Sequence, residues 1–141
     1  MPTKLHTFTL DGKNHEVTFV ETIYVKEGVE CDTYAFVGDA TQDLAIIHVT
    51  KGCKTPLQRV LYGKTAEGFL EGKGILTVRS EDGHVETYTF DSKSANKEVV
   101  VQAGQIIQWI APEDAGLVFY EICDPPYQDG RYENLPEEDA V

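Results

Sequence analysis

The sequence predicts a single-domain, all-β protein folded as a sandwich or a barrel. Short segments rich in β-branched and aromatic residues follow one another at nearly even spacing, with turn signals between them. No segment keeps the apolar period of an amphipathic helix. The length of 141 residues suits one domain with a sizeable core.

The first half of the chain begins with an alternating segment that ends at the hairpin-type turn Asp11-Gly12. The strands predicted for this half are residues 5–10, 16–25, 33–37 and 44–50. The last of these, LAIIHVT, is nearly all apolar, as in a strand that is buried on both faces. It leads into residues 52–72, which we interpret as a hairpin, a polar turn and the start of another strand.

The second half contains a clear hairpin signal, in which residues 74–80 and 84–90 flank the turn at residues 81–83. A polar loop follows, and the remaining predicted strands are residues 98–102, 105–110 and 117–123. We therefore predict a barrel over residues 1–124 and an acidic tail over residues 125–141. Tyr127, Tyr132 and Leu135 are expected to pack the first part of this tail on the barrel. Its acidic end is expected to be disordered.

The charge balance restricts the classes of partner. Twelve Lys and Arg against 24 Asp and Glu give a net charge of −12, which repels nucleic acid and anionic lipid surfaces. No apolar run is long enough to span a bilayer, and the N-terminal residues lack the apolar segment of a signal peptide. We expect a cytoplasmic protein with no nucleic-acid or membrane partner. Its three cysteines are widely spaced and are expected to be plain thiols.

The glycine spacing of residues 52–72 resembles the first conserved motif of the cupin superfamily, which begins and ends with glycine, here Gly52 and Gly72. Gly104 matches the start of the second cupin motif. The resemblance implies a small single-domain cupin, a double-stranded β-helix or jelly-roll barrel. Similar small cupins pair through edge strands, so a homodimer is expected, with residues 5–10 as the paired edge.

The metal ligands of the family are missing from the matching positions. In cupins the two motifs supply three histidines and one glutamate, and this chain has Gln58, Val60, Thr65 and Ala115 at those places. Val60 and Ala115 cannot bind a metal, and Gln58 and Thr65 are poor ligands. We expect no metal and no cofactor, and the metal-dependent chemistry of the family is not carried over.

Alternation along the strands predicts which side chains face the barrel interior. The inward set is Gln58, Val60, Tyr62, Thr65, Glu67, Phe69, Leu117, Phe119 and Glu121. An inward Glu67 should have a raised pKa or a cationic partner, whereas a shift of one residue would place it in solvent. Glu121 has the same two alternatives, and the aromatic and aliphatic members equally suit core filling. The candidate ligand-binding residues are Gln58, Tyr62, Thr65, Glu67, Phe69, Trp109, Phe119 and Glu121.

Three functions are compatible with this interior. The first is a metal-independent cupin that binds a small polar organic molecule such as a sugar or metabolite; an anion fits badly, because no Arg or Lys is on the inferred inner face. The second is an isomerase, epimerase or lyase using Glu67 or His48 for proton transfer, although a lone His in an apolar strand also suits a core role. The third is a dimer scaffold with a filled barrel. The sequence has no nucleophile motif and leaves open whether the protein is an enzyme.

Overall fold

The structure, a computed structural model, describes residues 4–93, 98–127 and 130–136. These residues form twelve strands and no helix. The strands are β1 (Thr7–Leu10), β2 (Lys13–Lys26), β3 (Val29–Phe36), β4 (Asp39–Val49), β5 (Gln58–Val60), β6 (Lys64–Gly72), β7 (Gly74–Arg79), β8 (Val85–Phe90), β9 (Glu98–Gln102), β10 (Ile106–Ile110), β11 (Leu117–Asp124) and β12 (Tyr132–Asn134). The predicted disorder of the last residues falls outside the described part of the chain.

The strands form two antiparallel sheets that face each other. One has the order β1-β2-β3-β4-β11-β6-β9, and the other has the order β12-β5-β10-β7-β8. The predicted hairpin of residues 74–90 is confirmed, since β7 and β8 pair in full register. The hairpin proposed within residues 52–72 is wrong, because β5 and β6 lie in opposite sheets. Residues 61–63 carry the chain across from one sheet to the other.

The side chains between the two sheets form the inner core. It includes Val60, Leu76, Val101 and Leu117, all almost fully buried. A row of aromatic rings runs through it: the centroid distances are 5.5 Å from Phe69 to Phe90, 5.4 Å from Phe90 to Trp109 and 4.4 Å from Trp109 to Phe119. Trp109 therefore closes the core, with its ring 1% exposed.

A second cluster, the outer core, covers the back of the seven-stranded sheet. Register shifts after Phe19 and Tyr24 bend β2, because an extra residue in one strand increases its twist. The β1-β2 hairpin thereby curls over the sheet until the ring of Phe8 lies 5.1 Å from that of Tyr120 on β11. Strand β4 is thus covered on both faces over Leu44–Ile47, which explains its continuous apolar run.

The C-terminal segment adds the last strand to the five-stranded sheet. Tyr132 pairs with Val60, and Asn134 pairs with Gln58. The side chain of Arg131 is wholly buried and donates to the carbonyl oxygens of Pro125 at 2.9 Å and Lys64 at 2.6 Å. This arginine ties the final segment to the corner between the sheets. Among the described residues, no helix has the length and apolar character to cross a membrane.

Candidate ligand site between the sheets

A cavity of about 290 Å³ lies between the two sheets, beside the aromatic row. Strands β2, β3 and β4 contribute one side, with Cys31 and Asp43 among the lining residues. Strands β5, β10 and β12 contribute the other side, with Gln58, Trp109 and Tyr132. The wall is mixed: aliphatic and aromatic side chains alternate with the polar side chains of Thr33, Asp43, Thr55, Gln58, Glu121 and Asn134.

Two carboxyl groups meet at the inner end of this site. Glu67 on β6 and Glu121 on β11 are directly opposite each other in the ladder, so their side chains project from the same face. Glu67 is wholly buried, and its Oε1 accepts a hydrogen bond of 2.9 Å from the indole Nε1 of Trp109 in the opposite sheet. Glu121 is half-buried and lines the cavity. Glu67 thus lies behind the wall and Glu121 is part of it.

The position of Glu67 beside Glu121 affects its pKa. Burial raises the pKa of Glu67 well above its ordinary value of 4.5, and the charge of Glu121 and a hydrogen bond between the two carboxyls raise it further. An ionised carboxylate can only accept hydrogen bonds. Among the described residues, no group donates a hydrogen bond to Glu67 Oε2. Burial and the neighbouring carboxyl therefore favour the protonated form of Glu67, which can donate a hydrogen bond to Glu121.

Glu121 also accepts hydrogen bonds from two neighbours. The hydroxyl of Tyr132 donates to its Oε1 at 2.8 Å, and the thiol of Cys123 donates to the same atom at 3.6 Å. Burial, followed by the charge of Glu121, raises the pKa of the Tyr132 phenol and of the Cys123 thiol far above their ordinary values. Both groups stay neutral and serve as donors.

A third acid lies at the cavity wall on β4. Asp43 Oδ2 accepts a hydrogen bond of 3.0 Å from the backbone amide of Tyr127. Burial raises the pKa of Asp43 and the charge of Glu121 adds to the shift, against the opposing effects of the Tyr127 amide and of Arg131. Burial and the Glu121 charge also raise the pKa of the nearby Cys31 to about 12, which keeps this thiol un-ionised.

The predicted inward face is largely confirmed as a buried face. Six of the nine side chains are buried: Val60, Thr65, Glu67, Phe69, Leu117 and Phe119. Gln58, Trp109, Phe119 and Glu121 line the cavity, whereas Thr65 and Phe69 lie deeper in the interior. Thr65 Oγ1 has no hydrogen-bond partner among the described residues. The role of these residues in binding stays a prediction.

Two candidates point elsewhere. Tyr62 is 37% exposed and lies outside the cavity with Arg131 over its ring, because β5 ends at Val60 and the alternation does not continue past it. His48 is on the outward face of β4, with its Nε2 3.6 Å from Asp32 Oδ2. Ala45 and Ile47 line the cavity from that strand instead. His48 therefore does not face the cavity, and a role for it in proton transfer stays a prediction.

Several site residues were missed from the sequence. Asp43 directly precedes the predicted strand of residues 44–50 and lies two residues before the cavity-facing Ala45. If the predicted strand had begun one residue earlier, its alternation would have placed Asp43 on the inward face. Cys31 and Cys123 were predicted only as plain thiols, and Tyr132 only as a packing residue. Arg131 had one signal, a single basic residue within an acidic tail.

The fold defines a class of protein, the jelly-roll barrels made of two curled sheets around one interior. The structure is similar to the capsular polysaccharide assembling protein CapF from Staphylococcus aureus, with a TM-score of 0.68 and 10% identity over 84% of this chain and 34% of that chain. It is also similar to the Momordica charantia 7S globulin, with a TM-score of 0.65 and 15% identity over 86% of this chain and 37% of that chain.

A third similar structure is the oxalate decarboxylase of Bacillus subtilis, with a TM-score of 0.65 and 23% identity over 80% of this chain and 31% of that chain. This protein has the cupin fold. It spans about a third of the length of these three proteins. No protein-family model matches the sequence, and no curated protein matches it either.

The metal site that the cupin fold implies does not fit these residues. Gln58 Nε2 donates to Asn134 Oδ1 at 2.9 Å, and Val60 is part of the inner core. Ala115 belongs to the loop before β11 and offers no ligand atom. Among the described residues, no group of three or more His, Cys, Asp and Glu side chains could hold a metal ion.

Proposed function

We propose that this cupin-fold protein binds a small polar organic molecule in the cavity between its sheets. The observation that carries the proposal is that two acids, Asp43 and Glu121, lie at the wall of this cavity among aliphatic and aromatic residues. Buried ionisable groups are costly, and apolar residues of similar volume would pack such a space more favourably. A mostly apolar cavity with a few convergent polar groups is the usual form of a small-molecule site.

Binding takes place without a resident metal. The oxalate decarboxylase of Bacillus subtilis has Mn(II) centres. In this chain the positions that resemble cupin ligands have no imidazole, and the acids of the cavity, Glu121 and Asp43, accept hydrogen bonds from Tyr132 and from the Tyr127 amide. Elemental analysis of the purified protein tests this point, and stoichiometric iron, nickel, manganese or zinc would contradict it.

The cavity itself is tested by filling it. Ala45 lines the cavity from β4, whereas Ala40 on the same strand is exposed. A thermal-shift screen of sugars and small metabolites is expected to give a ligand that stabilises the wild type by about 2.7 kcal/mol at 100 times its dissociation constant. Ala45→Phe should abolish the shift and the matched control Ala40→Phe should keep it. Equal shifts in both variants would refute binding in the cavity.

Proton transfer is the second candidate function, and the carboxyl pair favours it. The two acids differ in environment, one wholly buried and one at the cavity wall, which is the arrangement that separates an acid from a base. Glu121 would contact the substrate as the base and Glu67 would hold the exchangeable proton in an isomerase, epimerase or lyase reaction. Glu121→Gln should then abolish exchange of substrate hydrogen with deuterated solvent while binding remains.

A homodimer paired through β1 remains part of the proposal. Strand β1 is at the edge of its sheet, with β2 on one side only. An unpaired strand edge is a template for a second chain. Light scattering at two protein concentrations measures the mass, and Thr9→Pro, which blocks strand pairing, should give a monomer if β1 is the paired edge.

A further inference from the structure

We propose that the ligand is a small organic cation that carries a primary or secondary ammonium group. The inference rests on the cavity proposed above as the binding site and specifies the chemistry of its occupant. Three features of the wall support it: its charges, its unused hydrogen-bonding capacity and the residues at its opening.

The charges of the cavity are acidic. Asp43 and Glu121 line it, and no Lys, Arg or His is among its described lining residues. The cation that acts on Asp43 is Arg131, whose guanidinium nitrogens donate to the backbone carbonyl oxygens of Lys64, Asp124 and Pro125. The wall therefore has two carboxyl groups and no cationic side chain among its described lining residues, and a bound cation would pair with them.

The unused hydrogen-bonding capacity of the wall includes carboxylate acceptors. Three donors at the wall are committed to the protein: the Trp109 indole to Glu67, the Tyr132 hydroxyl to Glu121 and the Gln58 amide to Asn134. Carboxylates each accept several hydrogen bonds, so Asp43 and Glu121 retain acceptor sites beyond those filled. A ligand that supplies two or three N–H donors on a positive centre matches this wall.

The opening of the cavity suits a cation as well. Tyr24 is 69% exposed and Tyr127 is 46% exposed, and both line the cavity, so they lie where it meets solvent. Aromatic faces attract ammonium groups. The net charge of −12 steers cations towards the protein and anions away from it.

The test uses the full chain and three pairs of probes with matched shapes, each an amine and its alcohol. The pairs are benzylamine and benzyl alcohol, cyclohexylamine and cyclohexanol, and 1,4-diaminobutane and 1,4-butanediol. At pH 7 at least one amine is expected to raise Tm and to give a saturable calorimetric titration, while its alcohol does not. Glu121→Gln and Asp43→Asn should each weaken binding by about tenfold or more, because each removes a charge next to the ammonium.

The controls separate this site from the acidic surface. Glu71→Gln alters an exposed carboxyl at the end of β6 and should bind amines as the wild type does. Circular dichroism checks that each variant folds, and Ala45→Phe, which blocks the cavity without changing a charge, gives a second route to the same result. Amine binding that survives Ala45→Phe and Asp43→Asn would refute the inference, since the amine would then be on the surface.

The outcomes distinguish the two proposals. Alcohols or sugars that bind as well as amines, and that Ala45→Phe excludes, would refute a cationic ligand and leave the cavity as a binding site. No binding by any amine, together with no cavity-dependent hit in the wider metabolite screen, would refute both.

Discussion

Replacing Glu67 with glutamine should make the stability of the protein less sensitive to rising pH. Glu67 is wholly buried, and its pKa in the folded state is raised by burial and by Glu121 above the ordinary value of 4.5. The folded state therefore binds more protons than the unfolded state between these two pKa values. The contribution of Glu67 to stability is fully present below about pH 4.5 and is lost as the pH rises through the folded pKa.

The magnitude follows from linkage. Each unit by which the folded pKa exceeds the unfolded one amounts to about 1.4 kcal/mol of lost stability. Glutamine removes the titration yet can still accept the hydrogen bond from Trp109 and donate one to Glu121. We therefore expect the free energy of unfolding of Glu67→Gln, minus that of the wild type, to increase from pH 5 to pH 8 with a slope of up to about 1.4 kcal/mol per pH unit.

Urea unfolding at pH 5, 6, 7 and 8 measures this difference, with midpoints and slopes fitted at each pH. The matched control is Glu71→Gln, which removes an exposed carboxyl on the same strand. A difference between Glu67→Gln and the wild type that stays constant from pH 5 to pH 8 would refute the raised pKa of Glu67.

Three further predictions concern stability at neutral pH. Arg131→Met should lower the free energy of unfolding by about 3 kcal/mol or more, because buried carbonyl oxygens lose charged hydrogen-bond donors. Denaturant titration measures this loss, and a value below about 1 kcal/mol would contradict the anchoring role of Arg131. Tyr132→Phe should cost about 1–2 kcal/mol through the lost hydrogen bond to Glu121, and an unchanged urea midpoint would argue against that bond. Gly72→Ala should cost at least about 2 kcal/mol of stability, because φ is +87° and a Cβ would lie 1.9 Å from a carbonyl oxygen. Gly83→Ala, where φ is +89° and no atom is near, should cost only about 1 kcal/mol. Equal shifts in Tm for the two variants would contradict the steric argument.

The fold was predictable because its signals are local. Alternation and turn residues mark most strands, and the spacing from Gly52 to Gly72 reports backbone positions with φ of +76° and +87° that only glycine occupies easily. The inward parity of Glu67 could be predicted from the same alternation. Its partner Glu121 was placed on the inner face, but their meeting depends on the register between β6 and β11, which no local pattern specifies.

The rest of the site depends on contacts between distant parts of the chain. The acceptors of Arg131 belong to residues 64, 124 and 125, and nothing near residue 131 indicates a buried position. The hairpin expected within residues 52–72 failed for a related reason. Sequence proximity favours pairing of neighbouring strands, but here β5 pairs with β10 and β12 while β6 pairs with β9 and β11.

The pairing of β12 with β5 also determines when the binding chamber can exist during biosynthesis. Tyr132 and Asn134 are part of its wall, although most of the barrel is encoded before them. Because the ribosome releases the chain from its N-terminus onwards, both sheets can begin to assemble while this side is still missing. The chamber is therefore closed on this side only once β12 has paired with β5.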